Sequence, residues 1–341
     1  MNSTKDITSI IQSYFNRYLV GEYGASKDTI RAYRDTLLRF IEFMESIKHV
    51  KPEKLSIDNL TRNNVMTFLD WIEEERHNSV NTRNSRLAAI KSLVQYLIHD
   101  DPTRLGQWKS ILNIKNKKSV MKAPVYLTSD GVKCLLKHIP LHCLHGERDL
   151  VMIALMYNLA VRVSELIGLT PSCIRTTKPF VAKIHGKGKK ERYVGIDDAM
   201  MELLLKYMHT NLLDKPGNGQ RPLFSNCHQQ KLTNAGVTYI LQKYADMARK
   251  DNPELIPNVL SPHTLRHSRA MNMLNDGANL MDIRDLLGHK SVKTTERYAR
   301  IDSNNKRKAL EDAYSDIGIT EPHQKTWEKE PKIKKMLKEL I

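Results

Sequence analysis

The chain has 341 residues, a length that suits two compact domains rather than one small module. Hydrophobic residues make up 40% and charged residues 27%, with 15 Gly and 13 Pro, a composition that excludes collagen-like and largely disordered chains. Lys and Arg number 54 against 38 Asp and Glu, and the formal charge of +16 favours polyanions, nucleic acid first, as partners, although a basic surface also serves solubility.

No run approaches the ~18 apolar residues of a membrane helix. The opening MNSTKDITSI lacks the basic start and apolar core of a secretory signal, so a cytoplasmic protein with no membrane partner is expected. Cys134, Cys143, Cys173 and Cys227 form no CxxC pair, as expected of reduced thiols. His142-Cys143-x-His145 and Cys227-His228 lack a second ligand pair at finger spacing, and no metal site is expected.

Residues 1–113 read as a helical domain. Ser26 is placed to cap a helix whose Ile30, Tyr33, Leu37, Ile41 and Met44 recur at helical spacing and must face a core. Thr61 opens a second helix carrying Val65, Phe68, Leu69 and Ile72. After the turn-like Asn78-Ser79, Leu87, Ile90, Val94 and Leu97 mark a third. Arg83, Arg86 and Lys91 are interleaved with that stripe and are read as lying off its apolar face, where they either touch phosphates or are simply solvated. Residues 114–124 (IKNKKSVMKAP) carry Lys115, Lys117, Lys118 and Lys122 with no apolar period, the pattern of an exposed basic linker.

Residues 125–302 read as a second domain, mostly helical with one small antiparallel sheet. Leu127-Thr128-Ser129 caps a helix with Val132, Leu135 and Leu136, and Asp149–Tyr157 is an apolar helix buried on most sides. Phe180–His185 and Arg192–Ile196 flank GKGKK as the two strands of a hairpin. Helices follow at Met200–Met208, Thr233–Ala248, His267–Leu274 and Leu280–Leu287, with Gly277 and Gly288 where C-caps belong. Residues 303–341 form a charged tail, in which Ile333, Met336, Leu337, Leu340 and Ile341 make one apolar stripe on a short helix. Such a stripe needs a groove, on this chain or on a neighbouring copy.

Three segments and the hairpin turn carry chemistry: Ala160-Val161-Arg162-Val163-Ser164-Glu165-Leu166, Ser261-Pro262-His263-Thr264-Leu265-Arg266-His267-Ser268, and Leu286-Leu287-Gly288-His289-Lys290 followed by Glu296-Arg297-Tyr298. Together they suit attack on a phosphodiester without metal. An arginine presents a rigid fork of donors to two phosphate oxygens and never loses its charge, so Arg162 and Arg266 can neutralise a pentavalent transition state. A tyrosine hydroxyl among cations is a nucleophile once its phenolate is favoured. Histidines exchange protons near neutrality, and Lys187 on a glycine turn can reach a leaving oxygen. Singly, each has a bland reading: a helix-start arginine is usually a surface or capping residue, Tyr298 half-buried packing, Lys187 a solvated side chain. GKGKK lacks the spacing of a nucleotide-binding P-loop.

In order and spacing the set resembles the tyrosine recombinase (phage integrase) family over nearly the whole chain. The resemblance is strongest in LAVRVSELIGL, HGKGKKERYVGI, SPHTLRHSRA and LLGHKSVKTTERYARI. The family's catalytic positions fall on Arg162, Lys187, His263, Arg266, His289 and Tyr298. Two departures stand out: Ala160 where glycine is usual, and Arg269 where a small or aromatic residue is commoner.

The resemblance implies a helical core-type DNA-binding domain followed by a mixed, mostly helical catalytic domain, closing as a clamp on double-stranded DNA. Arg83, Arg86, Lys91, Lys115, Lys117 and Lys118 then become candidate phosphate contacts. It also implies site-specific recombination through a 3′-phosphotyrosine on Tyr298. Arg162, Arg266 and His289 would hold the non-bridging oxygens, Lys187 would protonate the 5′ leaving oxygen, and His263 would assist proton transfer, with no cofactor, metal or ATP. Four copies on two DNA sites are expected, with the tail docking in cis or exchanged between copies. Integration, excision or transposition of a mobile element is the expected role. Dimer resolution by the same chemistry and a non-catalytic DNA-binding derivative are the alternatives. A type IB topoisomerase or telomere resolvase is disfavoured by the two-domain layout and the GH…Y spacing.

Overall fold

A computed structural model describes residues 7–119, 125–143, 145–186, 190–289 and 291–299. Lys187, positions 120–124 of the basic stretch and the apolar stripe Ile333–Ile341 lie outside them. The chain divides into two compact units, Met1–Lys122 and Ala123–Ile341. Among the described residues no helix is long and apolar enough to cross a membrane.

The first unit is helical throughout. α1 (Ile7–Ser13) continues into wider turns over Tyr14–Glu22, where the Tyr23 amide donates to Tyr18 O. α2 (Lys27–Ser46) starts as expected, Ser26 Oγ accepting the Thr29 amide. Its buried side chains are Thr36, Leu37, Phe40, Phe43 and Met44, so the stripe is rotated from the expected one, whose Ile30, Tyr33 and Ile41 are only half-buried. The aromatic rings decide this: Phe40 meets Phe68 edge-on at 5.3 Å, and Phe43 lies 5.8 Å from Trp71. Both partners belong to α3 (Arg62–Glu74), capped by Thr61. Burying rings of this size stabilises by roughly 1.5–3 kcal/mol each and outweighs one register of aliphatic periodicity. α4 (Val80–Asp100) is capped by Ser79 and buries Leu87, Ile90, Val94 and Leu97. α5 (Leu105–Leu112), unforeseen in the sequence, seals the core with Trp108, whose Nε1 donates to Asp101 O at 3.0 Å.

The second unit begins with α6 (Ser129–Lys137), capped by Thr128, then α7 (Gly146–Asn158) and the short α8 (Val163–Ile167). Three antiparallel strands follow in the order β1 (Ile174–Arg175), β2 (Val181–His185) and β3 (Glu191–Gly195). The hairpin β2–β3 is the expected one; β1 has two residues, too few to show alternation. Ala182, Ile184 and Val194 are buried in the main core, to which α9 (Asp198–Thr210) and α10 (Asn234–Asp251) also contribute. α11 spans Pro262–Asn275, one and a half turns earlier than expected, because Ser261 Oγ caps it and Pro262 suits a first helical position. α12 (Leu280–Leu287) ends in left-handed Gly288 (φ 61°), and α13 spans Val292–Ala299. A small second core joins these last elements: Ala160, Ala270, Met271, Leu274, Ile283, Leu287 and Tyr298.

Candidate active site

One carboxylate organises the arginines. Arg162 sits at the N-cap position of α8 and donates from Nη1 to Glu165 Oε1 at 2.8 Å, while its amide donates to Oε2 at 2.9 Å. Arg192 of β3 grips the same carboxylate with two bonds of 3.0 and 2.8 Å and donates from Nε to Leu286 O at 3.2 Å. Arg266 of α11 lies 3.9 Å from Glu165 Oε2 and donates to Ala160 O at 2.7 Å and to Leu287 O. Burial by itself would raise the Glu165 carboxyl, but Arg192 and the Arg162 amide and guanidinium outweigh it and hold it at about 2. Burial, helped by the Arg162 charge, pushes Arg266 down to about 10. Arg266 therefore stays charged at neutral pH. Three guanidiniums around one carboxylate leave two positive charges in excess. The Arg162 side chain is 37% exposed and Arg266 3%, so Arg162 presents the open edge of this charge.

The second unit also assembles the remaining described candidates. Tyr298 of α13 is 1% exposed, packed in the same small core as Ala160 and Leu287, the residues whose carbonyls hold Arg266. Its phenol lies 2.6 Å from Nδ1 of His267 on α11. His263, one turn earlier, is exposed, its ring stacked at 6.1 Å on His267. His289 follows Gly288 and directs Nδ1 at Thr295 Oγ1 of α13, 3.1 Å away. Lys187 lies outside the described residues, between Gly186 and Lys190, whose backbones are joined by a 2.7 Å hydrogen bond.

The two departures from the family pattern both have local consequences. Ala160 takes a positive φ of 47°, the region glycine favours, so its methyl carries backbone strain directly beside Arg162. Arg269 lies over the Tyr157 ring at 5.5 Å, and the Tyr157 hydroxyl accepts a bond from Asn272.

The candidate phosphate contacts of the first unit are placed differently from expectation. Arg83 is not off the apolar face: it is 1% exposed, 3.5 Å from Glu73. It lies one turn before Leu87 on the buried side of α4, where a long apolar stem packs well once its head is paired. Arg86 is ion-paired with Asp35 and donates to Thr36, and Lys91 donates to Ile114 O. Lys117 pairs with Glu73 at 2.7 Å, and Asn84 exchanges two bonds with its backbone, so positions 114–119 are strapped to α4 rather than hanging free. Lys115 and Lys118 are exposed.

Sequence reasoning missed Glu165, Arg192 and His267 as site residues. Glu165 carried a signal, an acid three residues after a helix-start arginine, where it reaches back to the N-cap amide. Arg192 carried none, since its partner lies 27 residues away and only the hairpin brings them together.

Comparison with known proteins gives the family and the fold. Residues 125–305 match the phage integrase family, and residues 11–101 match the phage integrase N-terminal SAM-like domain. The tyrosine recombinase XerD of Rickettsia bellii is 34% identical over 310 residues, 87% of this chain and 96% of XerD. The fold resembles that of XerH site-specific recombinase bound to palindromic difH substrate, with a TM-score of 0.67, 21% identity, and coverage of 91% of this chain and 90% of that one. It also resembles the Tn1549 transposon integrase in complex with transposon right end DNA, with a TM-score of 0.65, 16% identity, and coverage of 85% and 94%. With an arginine cluster around Glu165 beside the small core that holds a tyrosine, and with both domain types matched in order, the chain belongs to the phage integrase family of tyrosine recombinases.

Proposed function

We propose that this chain cuts and rejoins DNA through a covalent 3′-phosphotyrosine on Tyr298, in the service of a mobile element. The observation that carries the reading is the Glu165-centred cluster of Arg162, Arg192 and Arg266, sharing Ala160 and Leu287 with the core that holds Tyr298. A phosphate entering at the exposed edge of Arg162 meets excess positive charge in a site of low dielectric, where charge developing on phosphorus oxygens is most strongly stabilised. Tyr298 attacks phosphorus, Lys187 gives its proton to the departing 5′ oxygen, His289 joins Arg162 and Arg266 in holding the non-bridging oxygens, and His263 assists proton transfer around the phosphate. A second strand's 5′ hydroxyl reverses the step, so the phosphodiester bond energy is kept in the protein–DNA link.

Double-stranded DNA is the partner, with Lys115 and Lys118 as its contacts on the first unit and Arg86, Lys91 and Lys117 recruited only if their ion pairs or backbone bond yield. Four copies on two sites complete the reaction. The likeness to the Tn1549 transposon integrase supports the mobile-element role, and resolution of chromosome or plasmid dimers by the same chemistry is the alternative. The test is capture of SDS-resistant protein–DNA adducts in cells, followed by sequencing of the attached DNA. The unaltered protein forms adducts and Tyr298→Phe forms none while still shifting DNA; adducts in Tyr298→Phe refute the assignment. Attached sequences at the ends of one mobile element support the role, and a single fixed chromosomal or plasmid site replaces it with dimer resolution.

A further inference from the structure

We propose that His267 is the proton acceptor for Tyr298, the base that frees the phenolate as it attacks DNA. The proposal deepens the preceding reading and rests on Tyr298 being the nucleophile. Nδ1 of His267 and the Tyr298 hydroxyl are 2.6 Å apart, within the range for direct proton transfer. The rings are tilted by 57° with centroids 5.6 Å apart, so the nitrogen meets the hydroxyl rather than the ring face. In the tautomer with its proton on Nε2, the phenol donates to Nδ1.

The surroundings favour this partner over solvent. Tyr298 is 1% exposed and packed against Met271, Leu274, Ile283 and Leu287, so its proton has little direct access to bulk water. Of the two other histidines at the site, His289 directs Nδ1 at Thr295 and His263 is exposed. Arg266 is the residue immediately before His267, and the Tyr298 oxygen favours the charged form of Arg266. A phenolate formed here is thus met by a cation as the proton leaves it. The stacked His263 ring lies on His267 at 6.1 Å, next to the imidazolium that results.

The step balances. The phenol proton passes to Nδ1, the phenolate lone pair forms the O–P bond, and the P–O5′ bond breaks with its electron pair on the 5′ oxygen, which takes a proton from the Lys187 ammonium. In rejoining, the 5′ hydroxyl attacks phosphorus and the departing phenolate recovers its proton from His267.

The experiment measures single-turnover adduct formation on a duplex of the sequence recovered from captured adducts, alongside the same duplex with sulfur replacing the bridging 5′ oxygen. A thiolate leaves without a proton, so that substrate relieves the loss of an acid and not the loss of a base. His267→Asn places an amide oxygen near the position of Nδ1 and keeps the hydrogen bond, but it cannot store a proton. We expect it to bind DNA normally and to form adduct on the order of 100-fold more slowly on both substrates. We expect Lys187→Ala to recover on the sulfur substrate and Tyr298→3,5-difluorotyrosine, a more acidic phenol, to recover part of the rate lost in His267→Asn. If His267→Asn melts early, His267→Gln replaces it. An Asn variant within threefold of the unaltered protein, or one restored by the sulfur substrate, overturns the role of His267 and leaves Tyr298 standing. Adduct in Tyr298→Phe, or none from the unaltered protein, overturns the reading of Tyr298 and the role of His267 with it.

Discussion

Glu165 shows how much of a cationic site depends on one acid. Its carboxylate accepts from Arg162 and Arg192 and lies beside Arg266, so losing its charge leaves guanidiniums facing one another in a buried setting. The fall from 4.5 in the free group to about 2 in the fold corresponds to roughly 3 kcal/mol of stability. Because the folded value is depressed, this contribution is complete above about pH 4.5 and disappears as pH falls toward 2. Glu165→Gln is expected to lower stability by about 3 kcal/mol at pH 7, with a difference from the unaltered protein that shrinks as denaturation is measured down to pH 3. An undiminished gap at pH 3 contradicts the charge account. Motif order nominated Arg162, Arg266, His289 and Tyr298, because phosphoryl-transfer chemistry calls for those residue types, and all four lie in the second unit. The buried, paired state of Arg83 was not readable, since a cation on a helix looks the same in sequence whether or not an acid such as Glu73 waits across the core.

Among the elements, the end of α12 does the most to join the site. Its left-handed Gly288 lets the chain turn to His289 while Arg192 passes close by: a Cβ at Gly288 would lie 3.1–3.3 Å from Arg192 Cδ, Nη1 and Nε. Gly277, after α11, also has positive φ, 87°, but nothing within 4 Å of a Cβ. Both Gly→Ala changes are expected to cost about 1–2 kcal/mol from the left-handed backbone. Only Gly288→Ala also displaces Arg192, and it alone is expected to slow adduct formation, by at least tenfold. Denaturation midpoints and adduct rates on the two variants check this; equal rates remove Arg192 from the positioning of the site. Ala160 tests the same backbone principle from the other side. At φ 47° a β-branched residue is far worse than alanine, so Ala160→Val is expected to destabilise by about 2 kcal/mol or more, measured by urea denaturation. Most helices were legible through caps and periodicity; the early start of α11 was missed because polar His263 and Arg266 hide the apolar period there.

Across the full chain, hydrophobic cores that stay within their own units and a large positive charge set the expectations. The main core of the second unit and the aromatic core of the first are built from side chains of their own unit. DNA binding by a chain of charge +16 is expected to weaken steeply with salt. Lys115→Ala and Lys118→Ala, at exposed positions, are each expected to reduce the slope of log K against log salt by about 1, whereas Arg83→Met, at a buried one, is expected to leave the slope unchanged. Binding isotherms at several salt concentrations decide between them.

Motif order, helix caps and the two-strand hairpin were enough to establish the fold class and the family and to nominate the reacting groups, because these depend on residue type and local spacing. Contacts between distant segments decided the rest: Arg192 and Arg162 meeting at Glu165, Arg266 strung between Ala160 and Leu287, and the Tyr298 phenol resting on His267. A hydrogen bond between residues far apart in the chain leaves no local periodicity, so only the packed structure reveals which donor faces which acceptor.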